Sequence, residues 1–155
     1  IFAERFPTGD DYCYNGKHGS RYVKDVEIVK ITEKNQEKFF SNTGVRVDVR
    51  RGPAYYGLVD DKIIFVCGHT VPWPGMAEAW LLPFDGFENY LDAPRKIGRL
   101  NDVLSVMNGL HRLQACIDAT IPKNIRFMEY LGFKKEATLA NYGPQGQDFV
   151  MMRRT

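Results

Sequence analysis

Asp118-Ala119-Thr120-Ile121-Pro122-Lys123-Asn124-Ile125-Arg126-Phe127-Met128-Glu129-Tyr130-Leu131-Gly132-Phe133 is the stretch on which the fold turns. Pro122 suits the opening of a helix, because its missing N–H falls among donors that a first turn leaves unpaired in any case. Ile121, Ile125, Met128 and Leu131 then recur at helical spacing and predict one buried face. Gly132 supplies the left-handed step that stops a helix. Upstream, Leu113, Ala115 and Ile117 alternate with Arg112, Gln114 and Cys116, the period of a strand. Downstream, Phe133 to Ala140 and Gln147 to Arg153 form a hairpin across Tyr142-Gly143-Pro144-Gln145-Gly146.

Working towards the N-terminus, Ile97, Leu100, Leu104 and Met107 predict a second amphipathic helix, with Asp92 as its cap, Pro94 in its first turn and Gly109 beyond its end. Met76 to Leu82 reads as a buried strand set off by the breaker Pro72-Trp73-Pro74-Gly75. Tyr55 to Val59 and Lys62 to Thr70 pair across Asp60-Asp61. Thr32 predicts the cap of a short helix over Glu33 to Ser41, and the β-branched run around Val26 and Ile28 a first strand. Residues 1–22 carry glycines and polar residues without a period and read as an arm or long loop, leaving residues 23–155 as a single domain. The order is strand, helix, three strands, helix, strand, helix, strand, strand. It predicts an α/β (α+β) domain with a mixed, mostly antiparallel sheet and helices on both faces.

A chain of 155 residues, 44% apolar and 26% charged, has the balance of one globular domain. A net charge of +2 gives no nucleic-acid signal. No run approaches the roughly 18 apolar residues of a membrane span, and Ile1-Phe2-Ala3-Glu4-Arg5-Phe6-Pro7 has no basic-then-apolar signal pattern and no initiator Met. The three cysteines Cys13, Cys67 and Cys116 cannot all pair within one molecule, which predicts a reducing compartment. Cys67-x-His69 is the one compact pair of metal-ligand types. With Cys13, His18, His111 and Cys116 scattered elsewhere, no metal is predicted.

The Leu131-Gly132-Phe133 step after its helix resembles the end of the GNAT (Gcn5-related N-acetyltransferase) domain. Within that superfamily the chain is similar to GNAT-like proteins of short-tailed bacteriophages, the internal virion protein A type, in Trp80-Leu81-Leu82, Ile125-Arg126-Phe127, Gly143-Pro144-Gln145-Gly146 and Phe149. The match is good over residues 76–153 and loose over 22–75. The resemblance implies a strand (Trp80, Leu81, Leu82) that pairs with the pantetheine arm of acetyl-CoA or another acyl-CoA. It implies a pyrophosphate site where the family has Arg/Gln-x-x-Gly-x-Gly/Ala; here Arg95, Lys96, Ile97, Gly98, Arg99 and Leu100 stand there, with Leu100 in place of the small residue. Ile121 and Met128 replace the family's Asn and its Tyr general acid. Asn124 and Tyr130 are the nearest residues of those types, and Tyr130 is turned about 200° from the family's tyrosine position.

Transfer to an amine needs a base, because an amine of pKa ~10.4 is only about one part in a thousand neutral near pH 7.4. Glu78 is the candidate, on the same strand face as Trp80 and Leu82; His111, just past Gly109, is second to it and also suits a helix-end cap. The expected function is acyl-CoA-dependent N-acylation of a protein or small amine, in the cytoplasm of an infected bacterium or in the virion. The alternative is a GNAT-shaped interaction or virion-associated protein whose site has lost catalysis, with a virion or host protein as partner.

Overall fold

The computed structural model describes residues 25–154. The predicted arm at 1–22, with Cys13 and His18, lies outside them. Ten elements follow one another: β1 (Glu27–Lys30), α1 (Gln36–Thr43), β2 (Ala54–Val59), β3 (Lys62–Trp73), β4 (Met76–Pro83), α2 (Asp92–Met107), β5 (Arg112–Asp118), α3 (Pro122–Tyr130), β6 (Lys134–Leu139) and β7 (Phe149–Arg154). The seven strands make one sheet in the order β1-β2-β3-β4-β5-β7-β6. Every pairing is antiparallel except that of β4 with β5.

Strand alternation divides the core between the two faces. On one, Cys67, Ala79, Leu81, Ala115 and Ile117 meet Ile97 of α2 and Phe127, Met128 and Leu131 of α3. On the other, Phe39 of α1 joins Ile31, Ala54 and Val66, with Trp80 and Leu82 packed alongside. The architecture read from the sequence is the one present.

Several local expectations are corrected. Helix α1 begins at Gln36, because Asn35 takes the Thr32 N–H on its side chain at 2.7 Å and donates to the Lys30 carbonyl at 2.9 Å, holding residues 32–35 in a turn. Strand β3 runs on to Trp73, with Pro72 in a register irregularity where a proline costs no ladder bond; Pro74-Gly75 makes the turn. The buried face of α2 is Ala93, Ile97, Asn101 and Leu104, and Met107 is exposed. That of α3 is Asn124, Phe127, Met128 and Leu131. In both helices a buried asparagine stands where an apolar pattern looks for hydrocarbon.

Gly68 shows how tightly the central strands are fitted. A Cβ there would fall 2.4 Å from the Pro53 carbonyl oxygen and 2.8 Å from the Trp80 ring. The obstacle includes backbone, so Gly68→Ala is expected to destabilise the fold by roughly 1–3 kcal/mol; urea unfolding followed by tryptophan fluorescence measures it.

Candidate active site

Strands β4 and β5 run parallel for three residue pairs only, Met76–Arg112, Ala77–Leu113 and Glu78–Gln114. Beyond them β4 continues on β3 as far as Pro83 and β5 continues on β7 as far as Asp118. The two strands part, and the facing edges of Ala79–Pro83 and Ala115–Asp118 have no ladder between them. The closed end is held by Gly75, whose carbonyl accepts the N–H groups of His111 at 2.8 Å and Arg112 at 3.2 Å. The His111 ring lies against Gly75 itself, so this histidine braces the turn at the closed end of the fork.

Glu78 occupies the last paired step. Register places Thr70 of β3 on one side of it and Gln114 of β5 on the other. It is half-buried, on the sheet face opposite α2 and α3. Two residues beyond Gln114 on β5, on the same face, is Cys116. Its thiol donates to Met151 Sδ at 3.8 Å and feels the charge of the Glu78 carboxylate. Burial first, and then the Glu78 carboxylate, push the Cys116 thiol up to about 11. The arginines of this face, Arg112 and Arg153, pair with Glu136. Beyond Thr70, the β3 partner of Glu78, a cleft of about 410 Å³ opens between Val45, Val47, Arg51, Thr70, Trp80 and Leu82.

On the helix side the gap is nearly closed. A void of about 10 Å³ remains between Cys67, Ala79, Leu81, Asn101, Met128 and Leu131. Asn124, on the first turn of α3 beyond the end of β5, is fully buried, and neither its amide nitrogen nor its amide oxygen has a hydrogen-bond partner. Buried amides are normally satisfied, so this side chain has capacity for a ligand amide. His69, also buried, shares a 2.8 Å hydrogen bond between its Nε2 and Asn101 Oδ1.

The segment Arg95–Leu100 lies inside α2. Its N–H groups belong to the helical ladder, and Leu100 packs against the core. Helix α2 starts instead at Asp92, a residue 9% exposed. Asp92 accepts from Arg95 at 2.5 Å, pairs with Lys96 at 3.2 Å and takes the Val26 N–H at 3.4 Å. Burial raises the Asp92 carboxyl, but the hydrogen bonds from Arg95, Lys96 and Val26 outweigh it and hold the group below its ordinary value. A carboxylate of the chain therefore takes the positive end of the helix and both nearby cations. Arg99 is exposed, and Gly98 faces only Leu131 at ordinary contact distance. Tyr130 is 50% exposed, off the buried face of α3.

The fork therefore brings together Glu78, the Trp80–Leu82 arm and the start of α3, while Arg95, Lys96, Gly98, Arg99 and Tyr130 sit apart from it. Sequence reasoning weighed His69 and Cys116 as metal-ligand types and missed Asn101. For Asn101 no local signal was available. Among the described residues no group of three or more His, Cys, Asp or Glu could hold a metal, and no helix is long and apolar enough to cross a membrane.

A mixed seven-stranded sheet that forks between its fourth and fifth strands, with α2 and α3 behind the fork, is the GNAT fold. The chain is similar in structure to a Vibrio cholerae spermidine N-acetyltransferase SpeG, as a chimera with hSSAT, at TM-score 0.68, 13% identity and coverage of 83% of this chain and 94% of that one. It is likewise similar to the V. cholerae spermidine/spermine N-acetyltransferase SpeG in complex with manganese ions, at TM-score 0.68, 12% identity, 83% and 91% coverage. A third likeness is to an IAA acetyltransferase from Bacillus cereus ATCC 14579, at TM-score 0.68, 13% identity, 84% and 99% coverage. No protein-family model and no curated sequence matches the chain.

His69 makes a prediction testable without a ligand. Burial lowers its pKa below the ordinary value near 6.5, the Asn101 bond partly opposing. The unfolded chain then binds the proton more readily, so the neutral-imidazole fold is fully stable above about pH 6.5 and loses stability as pH falls below it. Between pH 7.5 and 5, His69→Gln should lose less stability than the parent chain, as read from denaturant midpoints.

Proposed function

We propose that this chain is a GNAT-type N-acyltransferase that moves an acyl group from acetyl-CoA or another acyl-CoA to a small or protein-borne amine, with Glu78 as general base. The observation that carries this is the position of Glu78: a half-buried carboxylate at the step where two parallel strands separate. Bound acyl-CoA supplies an activated thioester carbonyl. The open edges of β4 and β5 support placement of its pantetheine arm along Trp80, Leu81 and Leu82, and the unsatisfied amide of Asn124 supports a hydrogen bond to one of the arm's amides. Glu78 takes the proton of the attacking amine. Cys116 stays a thiol at working pH, which supports direct transfer to the amine over an acyl-cysteine intermediate. The fold neighbours named for acetyl transfer support the same reaction class.

The nucleotide end of the donor is less well met. Arg95, Lys96 and Arg99 supply the cations, but the first two are engaged by Asp92, and Gly98 and Leu100 offer no free amide. This favours a second reading, a GNAT-shaped binding protein without catalysis. The matches at Trp80-Leu81-Leu82 and Gly143-Pro144-Gln145-Gly146 support a phage origin under either reading, in the infected bacterial cytoplasm or in the virion, with a host or virion protein as partner under the second.

Two measurements separate the readings. Glu78→Gln should lower amine-dependent thiol release by about 10²–10⁴ while leaving calorimetric acyl-CoA affinity nearly unchanged; a parent chain that releases no thiol with any amine leaves the binding-protein reading. Asp92→Asn should free Arg95 and Lys96 for a diphosphate and tighten CoA binding by roughly tenfold, about 1.4 kcal/mol. That gain should shrink as salt rises from low to about physiological ionic strength.

A further inference from the structure

The segment 45–52, between α1 and β2, walls the cleft of about 410 Å³ whose floor is Thr70, Trp80 and Leu82. Trp80 and Leu82 share the strand face of Glu78, and Thr70 is its partner on β3, so the floor leads up to that carboxylate. The wall is fixed at both ends. Val45 donates its N–H to Thr43 Oγ1 at 3.1 Å. Gly52 lies so close to β3 that a Cβ there would fall 1.9 Å from the His69 carbonyl oxygen. Val45, Val47, Trp80 and Leu82 all pack against the cluster of Ile31, Phe39, Ala54 and Val66, which makes the inside of the cleft apolar. Three charged residues, Arg46, Asp48 and Arg51, line the rest. Two of them are already engaged. Arg46 pairs with Glu37 at 3.2 Å and lies over the Phe40 ring at 3.9 Å. Asp48 takes Arg50 on both oxygens, Nε on Oδ1 at 3.0 Å and Nη2 on Oδ2 at 3.3 Å. Arg51 Nε stands 3.7 Å from Asp48 Oδ2, beyond hydrogen-bonding distance, and among the described residues that is its one side-chain partner. Its guanidinium therefore keeps a fork of donors, and one positive charge is left in excess at the cleft.

We propose that this cleft takes the acyl acceptor, and that the acceptor is an amine on an apolar body with a carboxylate at its far end. The amine points to Glu78, the body lies on Val47 and Trp80, and the carboxylate meets Arg51. The identity of the ligand as an acceptor rests on the acyltransferase reading above; the preference of the cleft for an anion stands on its own residues. A guanidinium offers a carboxylate two parallel N–H groups, a charge-assisted pair that a neutral end cannot make. A second ammonium in the same place would face Arg51, with the nearby Asp48 already taken by Arg50. The cleft thus selects against diamines and polyamines. Its volume lies within the range of small-molecule sites.

Three amines that share one ring test this: 4-(aminomethyl)benzoate, benzylamine and 4-(aminomethyl)benzylamine, each with acetyl-CoA and thiol release as the readout. The kcat/KM of the carboxylate should exceed that of benzylamine by about tenfold, and that of the diamine by more. Arg51→Gln should raise KM for the carboxylate by about tenfold with kcat little changed, and Arg51→Lys should recover part of the loss. Calorimetry with 4-methylbenzoate, which has no amine to acylate, reads the cleft apart from any transfer. It should bind more tightly than 4-methylbenzylamine, and Arg51→Gln should weaken it by about tenfold. Equal kcat/KM for the three amines, or 4-methylbenzoate binding that Arg51→Gln leaves unchanged, overturns the proposal and leaves the acyltransferase reading standing. A parent chain that acylates none of the amines, yet binds 4-methylbenzoate through Arg51, keeps the anion-selecting cleft and overturns the acyltransferase reading instead.

Discussion

The structure depends on one interrupted pairing. Strand β4 is committed on its outer side to β3 for its full length, and β5 to β7. Their shared ladder stops after Glu78 and Gln114, so each strand carries an unpaired edge within the sheet rather than at its border. Backbone groups seldom stay unpaired in a protein interior, and a break here leaves room for a third extended element. The short parallel ladder sets where the break begins, and the Gly75 carbonyl, with two donors from the start of β5, keeps it from moving towards the closed end. Glu78 and Cys116 matter because of where they stand relative to that break.

Against this open geometry stands the charge arrangement at the start of α2. A helix N-terminus attracts anions, and here the anion is part of the chain. Asp92 joins the lead into β1, through Val26, to the side chains of Arg95 and Lys96 on α2. Lys96 adds its own bond to the Val26 carbonyl at 2.5 Å. The same contacts that seat the first strand beside α2 therefore occupy the charges a diphosphate would use, and seating the strand and binding a nucleotide draw on one set of groups.

Element order, the mixed sheet and the α3–Gly132–Phe133 step were legible because each rests on local spacing. Strand alternation also placed Glu78 with Trp80 and Leu82 correctly. What was not legible required contacts across the chain. Asn101 and Asn124 look like surface residues in any apolar pattern, yet each lies on the buried face of its helix, one bonded to His69 and the other unsatisfied. The resemblance put a pyrophosphate site at Arg95–Leu100, on a helix the spacing already predicted; that Asp92 engages Arg95 and Lys96 there is a matter of contacts no local pattern encodes. Cys116 read as a scattered metal-ligand type; its place on the same face as Glu78 follows from a β4–β5 register that no local period encodes.

The strand order carries a consequence for assembly. Strand β7 lies between β5 and β6, so β6 touches the sheet only through a strand that follows it in sequence. Five of the six residues of β6 are exposed, and Lys134, Lys135 and Glu136 line its start, a charged rim that discourages a further strand from adding there. It can join the growing structure only as half of a hairpin. The loop of that hairpin carries Gln147, whose amide reaches Asp118, so closing the last edge of the sheet and fastening the far end of β5 are a single docking event.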